Sequence, residues 1–202
     1  MKKTILLLIF ALSFYFSVQS QNLDYSFKET FKVEKPLNLT ISSNNSDIEV
    51  IANEGYDVIV FYTVTKLDEV LKVTKKELEV MTKGQWKLDI LDTSKSLEIK
   101  VVSTVKNGFT RPEDKIDVHF KVYVPRETST ELTSNDGNIK VQGLALDQKC
   151  ISSDGNIHLT DLNGKVYAQT SDGNIILNNV TGIVESITHD GRVINNENKK
   201  SK

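Results

Sequence analysis

The sequence predicts an all-β protein whose C-terminal half is a β-solenoid, a single-stranded β-helix-like stack of 18-residue coils, with N-terminal β-strands and one short helix packed on it. Three observations predict it. A turn motif recurs as SNDGNI at 134–139, SSDGNI at 152–157, TSDGNI at 170–175 and THDGRV at 188–193, each step being 18 residues. Between the turns, apolar residues fall in matching columns and alternate with polar ones, the period of a half-buried strand. Upstream of the repeats the same two-residue alternation dominates, with one stretch closer to a helical period.

The chain opens on Lys2 and Lys3, an apolar run from Ile5 to Phe16 broken only by Ser13, and Val18 and Ser20 three and one residues before an expected cleavage site. This is the layout of a secretory signal peptide over 1–20. The run is shorter than the roughly 20 residues of a membrane-spanning helix. Removing Lys2 and Lys3 takes the formal charge from −2 to −4. The chain is therefore expected to be exported, to the periplasm, the outer cell surface or the medium, with no membrane span after cleavage.

From 21 to 130 the expectation is a β-rich part of the same fold. Tyr25/Phe27, Phe31/Val33, Leu37/Leu39/Ile41 and Ile48/Val50 alternate, and Val58, Val60, Tyr62 and Val64 mark the clearest strand. Leu67, Val70, Leu71, Leu78 and Met81 are spaced like one helix face, which predicts an irregular helix over 67–82 ended by Gly84, although Val73 and Val80 compete for a strand. Trp86, Leu88 and Ile90 start a strand that returns through Leu97, Ile99 and Val101 across a turn at Asp92–Ser96. Residues 106–114 read as a loop, and Ile116, Val118, Phe120, Val122 and Val124 as a long strand stopped by Pro125. With no linker before the repeats, the N-terminal strands are expected to cover the first coil.

The repeats occupy 131–194, followed by a polar tail over 195–202. Their columns are Ile139, Ile157, Ile175 and Val193; Val141, Leu159 and Leu177, ending in Asn195; Leu144, Leu162 and Val180; Val166 and Val184 with Gln148 as the odd member; Cys150, Ala168 and Ser186; and Ser134, Ser152, Thr170 and Thr188. A second turn falls at Asn163-Gly164 and Thr181-Gly182. Asp-Gly between alternating strands is also a hairpin signal, which would build an antiparallel meander. The constant period favours the solenoid, because each residue then sits over its equivalent about 4.8 Å away and an insertion would break every column at once.

The segments TSDGNIILNNVTGIVESITHDGRV and VYVPRETSTELTSNDGNIKV resemble the bacterial DUF4097 family of β-strand repeat proteins, named for adhesion, and the related head domains of autotransporter adhesins. The resemblance covers 116–194 well and 37–65 more weakly, and departs from simple repeats over 66–112. It implies an exported solenoid of short strands and brings no catalytic residues.

Candidate sites are few. Asp136, Asp154, Asp172 and Asp190 form a column that could hold calcium, but the paired glycines of calcium-binding nonapeptide repeats are missing. The favoured reading is turn chemistry, with the aspartate capping its own turn and Gly137, Gly155, Gly173 and Gly191 supplying positive φ. Asn138, Asn156 and Asn174 suggest an amide ladder, interrupted by Arg192. Cys150, the only cysteine, is expected to be buried and inert, and one cysteine excludes an internal disulfide framework and a CxxC site. His119, His158 and His189 share no column. No serine-hydrolase elbow, phosphate loop, dinucleotide fingerprint or zinc-protease motif occurs. An exported acidic chain is no nucleic-acid binder. No cofactor and no enzymatic activity are expected. Outward residues, among them Lys140, Gln142, His158, Thr160, Lys165, Tyr167, Gln169, Asn178 and Glu185, could meet a surface glycan or protein. The expected function is adhesin-like binding or an envelope-structural role; the alternative is a sensory or regulatory envelope protein recognised by a membrane partner.

Overall fold

The computed structural model describes residues 27–104 and 115–196. The leader at 1–20, Tyr25, the loop at 106–114 and the last six residues of the tail lie outside them. The described chain is nearly all β, in two sheets that close no barrel, with one helix.

The strands run, in chain order, β1 Phe27–Lys32, β2 Leu37–Ser42, β3 Ile48–Asn53, β4 Asp57–Lys66, β5 Glu69–Val70, then helix α1 Lys75–Thr82, β6 Trp86–Asp92, β7 Ser96–Ser103, β8 Ile116–Pro125 and β9 Thr128–Thr133. The repeats supply β10 Ile139–Gln142, β11 Gln148–Ile151, β12 Ile157–Thr160, β13 Asn163–Gln169, β14 Ile175–Asn178, β15 Thr181–Ile187 and β16 Val193–Asn196. Even-numbered repeat strands enter one sheet, of order β1-β4-β8-β3-β10-β12-β14-β16 with β5 on β4; odd-numbered ones enter the other, β15-β13-β11-β9-β2-β7-β6. The chain thus passes from sheet to sheet, and one strand from each makes a rung.

Every pairing among β9–β16 is parallel, and residues pair with their equivalents 18 positions on, as in Ile139–Ile157–Ile175–Val193. The antiparallel meander is excluded. The inward columns are the core: Ile139, Ile157, Leu159 and Ile175 are fully buried. Another column narrows along the stack, from Ile99 and Ile41 through Leu132 and Cys150 to Ala168 and Ser186. Gln148, the polar exception among apolar equivalents, is 2 % exposed. Its amide nitrogen donates to the carbonyls of Thr128 (3.0 Å) and Leu146 (2.7 Å), and its oxygen accepts from Thr130 Oγ1 (2.6 Å). A buried amide with each group paired avoids the desolvation penalty that would otherwise expel it.

The N-terminal strands extend this stack, out of chain order. β2 pairs with β9 and β3 with β10, both parallel and both at an offset of 91 residues. Residues 37–53 are therefore a rung in their own right, lying directly beneath the first repeat. β7 and β8 pair in parallel beneath β2 and β3 in turn. β4 closes on β8 and β6 on β7, both antiparallel.

The expected helix over 67–82 is shorter than its apolar spacing suggests. Leu67 and Asp68 both take positive φ (52° and 63°), the geometry of a two-residue hairpin turn, and fold β5 back on β4 through Lys66↔Glu69. The helix begins only after Thr74, whose Oγ1 accepts from the Glu77 amide (3.3 Å) while its own amide donates to Glu77 Oε2 (2.7 Å). This reciprocal capping box satisfies two donors that a helix start leaves bare. Eight residues remain, with Leu78 as the buried apolar anchor.

Candidate functional site

The turn motif places its conspicuous residues first. Gly137, Gly155, Gly173 and Gly191 are absent from the positive-φ residues, so conformational freedom is not what selects them. A Cβ on Gly155 would lie 2.0 Å from the Gly137 carbonyl oxygen, and one on Gly173 would lie 2.1 Å from that of Gly155. Each glycine is required because its neighbour's backbone fills the space. Nor does the aspartate cap the turn. The amides of Gly137, Gly155, Gly173 and Gly191 donate to Ser134, Ser152, Thr170 and Thr188 hydroxyls at 3.1–3.3 Å. Those hydroxyls in turn donate to carbonyls of the rung below, as from Thr170 to Ser153 and Gly155 at 3.0 Å. The Ser/Thr column stitches both turn and stack, and the Asp136, Asp154, Asp172 and Asp190 side chains stand exposed. Among the described residues no three His, Cys, Asp or Glu side chains gather as a metal-binding group.

The amide ladder runs along the same edge. Asn156 donates from backbone and side chain to Asn138 Oδ1 (both 3.1 Å), Asn174 does the same to Asn156 (2.9 and 3.2 Å), and the Arg192 amide takes the last oxygen at 3.0 Å. Its foot is Asp47, whose Oδ1 accepts both Asn138 donors at 2.8 and 3.0 Å. His119 Nδ1 lies 3.4 Å from the other Asp47 oxygen. The His119 contact and the Asn138 donors outweigh partial burial and hold the Asp47 carboxyl down at about 2. Of the remaining histidines, His158 lies on the outer face of β12 and His189 in the last turn. Burial of Cys150 pushes its thiol up to about 12, so it is no nucleophile at neutral pH.

The outward residues divide between opposite faces. Lys140, Gln142, His158, Thr160 and Asn178 belong to the nine-stranded sheet; Lys165, Tyr167, Gln169 and Glu185 belong to the seven-stranded one. On the second face the register aligns a continuous row, Thr40–Glu131–Lys149–Tyr167–Glu185, across β2, β9, β11, β13 and β15. Parallel strands hold such a row at about 4.8 Å per step. Lys149 Nζ is 2.7 Å from Glu131, a pairing that raises the lysine pKa. The Tyr167 hydroxyl donates to Gln169 Oε1, on the same strand face two residues on, which leaves the half-buried ring steadied beside the lysine. A shallow groove of about 510 Å³ crosses this row, with Asn38, Glu131, Lys149, Lys165, Tyr167 and Glu185 among its walls. It offers one aromatic face and a ring of alternating charges and amide groups: the chemistry of a binding surface, with hydrogen bonds to both donors and acceptors.

Glu131 and Lys149 were legible, since steps of 18 backward from Tyr167 land on them. Asn38 and Thr40 had no such signal, because their offset from the repeats is 91.

No protein-family model matches the chain, and no curated protein matches it. Among solved structures, a crystal structure described as "a putative cell adhesion protein" from Clostridium sporogenes is similar at 10 % identity and a TM-score of 0.48, over 85 % of this chain and 99 % of that one. Another, described as "a putative adhesin" from Bacteroides fragilis, is similar at 12 % identity and a TM-score of 0.39, over 84 % of this chain and 96 % of that one.

Proposed function

We propose that this chain is an exported, non-enzymatic β-solenoid protein that binds a surface glycan by the outer face of its seven-stranded sheet, in the manner of an adhesin. The observation that carries this reading is the in-register row through Glu131, Lys149, Tyr167 and Glu185 under the 510 Å³ groove. A sugar ring presents an apolar face and a rim of hydroxyls. Tyr167 supplies a flat apolar partner, and the flanking carboxylates, ammonium groups and Asn38 supply hydrogen-bond partners for the rim. The face is built on strands, and strands hold a set of side chains at fixed spacing better than loops do. The parallel 18-residue register supports the solenoid, and the leader sequence supports export.

A glycan array and a whole-cell binding assay with residues 21–202 test the reading. Tyr167→Ala is expected to abolish binding while His158→Ala, on the opposite face, leaves it intact. Equal binding by the two variants would remove the site, and capture of cells stripped of glycan would replace the glycan with a protein partner.

A further inference from the structure

At the far end of the molecule from β16, the two sheets do not close on each other. Among the described residues β6 and β1 are the outermost strands there, and their inward side chains are left half-covered. Ile90 pairs with the fully buried Ile99, and Phe31 with the fully buried Val58, which puts both on the core side. Yet Phe31, Trp86, Leu88 and Ile90 are only partly buried. Helix α1 bridges the gap, tied to β1 by the Lys75–Glu29 ion pair and seated by Leu78, without filling it. What remains is a cleft of about 660 Å³ whose walls include Phe31, Leu78, Trp86, Leu88 and Ile90. That volume lies within the roughly 300–1,000 Å³ of small-molecule sites, and apolar walls with a few polar groups are their usual lining. The outer-face groove shares no residue with it.

The charges at the cleft are unequal in their freedom. Lys75, Lys83 and Lys87 line or flank it with Glu29 and Glu79. Lys75 is held by Glu29 and Lys87 by Asp89 at 2.6 Å, whereas Lys83 is the one lysine of the three, and Glu79 the one carboxylate of the two, with no ion-pair partner among the described residues. Burial raises the pKa of the Tyr62 phenol, so the cleft floor carries no tyrosinate. An apolar interior with one uncommitted cation at the rim is complementary to an alkyl chain that ends in an anion.

We propose that the cleft between β1, β4, α1 and β6 binds a free long-chain carboxylate, with the alkyl chain against Trp86, Leu88 and Ile90 and the carboxylate at Lys83. Trp86 is the only tryptophan in the chain, so its emission reports on the wall it forms, and the Lys83 and Leu88 variants tie a response to this cleft, since neither residue lines the smaller cleft on the ring's other side. Its indole nitrogen donates to the Ile116 carbonyl at 2.8 Å, which fixes the ring in the wall.

The test is titration of Trp86 emission with dodecanoate below its micellar concentration. Saturable binding is expected in the full chain. Lys83→Glu, an exposed change, is expected to weaken dodecanoate about tenfold (about 1.4 kcal/mol) while leaving the melting temperature and the affinity for dodecanol unchanged. Leu88→Glu is expected to abolish binding of both; should it fail to fold, Lys83→Glu still decides. A linear, unsaturable response would overturn the proposal. So would equal dodecanoate affinity in wild type and Lys83→Glu, equal affinity for dodecyltrimethylammonium, or a response confined to anionic phospholipid vesicles.

Discussion

The repeat rungs and the rung beneath them perform the same packing with different residues. In the repeats, Ser152 or Thr170 caps the turn, a glycine passes closely over the backbone of the turn below, and an asparagine extends the ladder. In residues 43–48 the sequence is SNNSDI, aligned on SNDGNI at 134–139 through Ile48↔Ile139. Ser46 takes the glycine position and Asp47 the asparagine position. The exchange is possible because of what lies below. Gly155 has the Gly137 carbonyl beneath it, but beside Ser46 the space is a cleft of about 340 Å³ bounded by Ser43, Trp86, Ile116 and Asp117. A side chain fits there, and Ser46 Oγ hydrogen-bonds Ser43 Oγ at 2.5 Å. Similarly, Asp47 only needs to accept, since it is the foot of the ladder. Glycine and asparagine are thus demanded by stacking on a like turn, and the first member of a stack is exempt.

The contrast is tested most directly by glycine substitution. Gly155→Ala should cost about 3 kcal/mol or more, at the top of the overpacking range, because the obstacle is backbone that cannot rotate away. Gly84→Ala should cost about 1 kcal/mol: Gly84 has φ +89° but nothing within 4 Å of where a Cβ would stand, so only backbone strain opposes the change. Urea melts that gave equal losses would show that space does not select the repeat glycines. Next comes the inward face. Ile157→Ala should cost about 2–5 kcal/mol as a core truncation, against about 0.5 kcal/mol for Tyr167→Ala on the outer face; comparable losses would reverse the assignment of faces.

The ladder foot gives a smaller, pH-dependent effect. Asp47 is held near 2 in the folded chain, below the ordinary aspartate value of 3.8. A depressed carboxyl pKa contributes stability that is present above about pH 4 and lost as pH falls toward 2. The side chain is 56 % exposed, so solvent screening limits this to no more than about 1 kcal/mol. Asp47→Asn, which keeps the acceptor for Asn138, should flatten the acid limb of a stability–pH curve; an unchanged limb would assign acid sensitivity elsewhere. The smallest effect is expected at the aspartate column. Asp172→Asn should shift the melting temperature little, with or without millimolar calcium, since the turn is held by Thr170. A large calcium-dependent rise in wild type that the substitution abolishes would make the column a metal site.

The fold was legible where each position answers to a like position. Ile139, Ile157 and Ile175 meet the same surroundings three times over, so the same residue recurs and the period can be counted. The alternation in Val58–Val64 and Ile116–Val124 was readable for a simpler reason: one face of each strand is buried. The stretch 67–73 was misread because β5 is too short to show a period and its turn uses Leu67 and Asp68, not glycine, at positive φ. In the outer-face groove, Lys165, Tyr167 and Glu185 were visible as outward residues, yet nothing in their spacing separated them from Lys140 and His158 on the opposite sheet.

Local alternation and columns of like residues were enough to specify the strands, their inward faces and the 18-residue register, because each of these is written within a few neighbouring positions or repeated at a constant step. Two features had to await the folded chain: the place of residues 37–53 under the first repeat at an offset of 91, and the parting of the sheets around α1 that leaves an apolar cleft. Strand order depends on which edges meet across long separations in the chain, and the residues that mark such a meeting are those that stacking has relieved of the repeat's own rules.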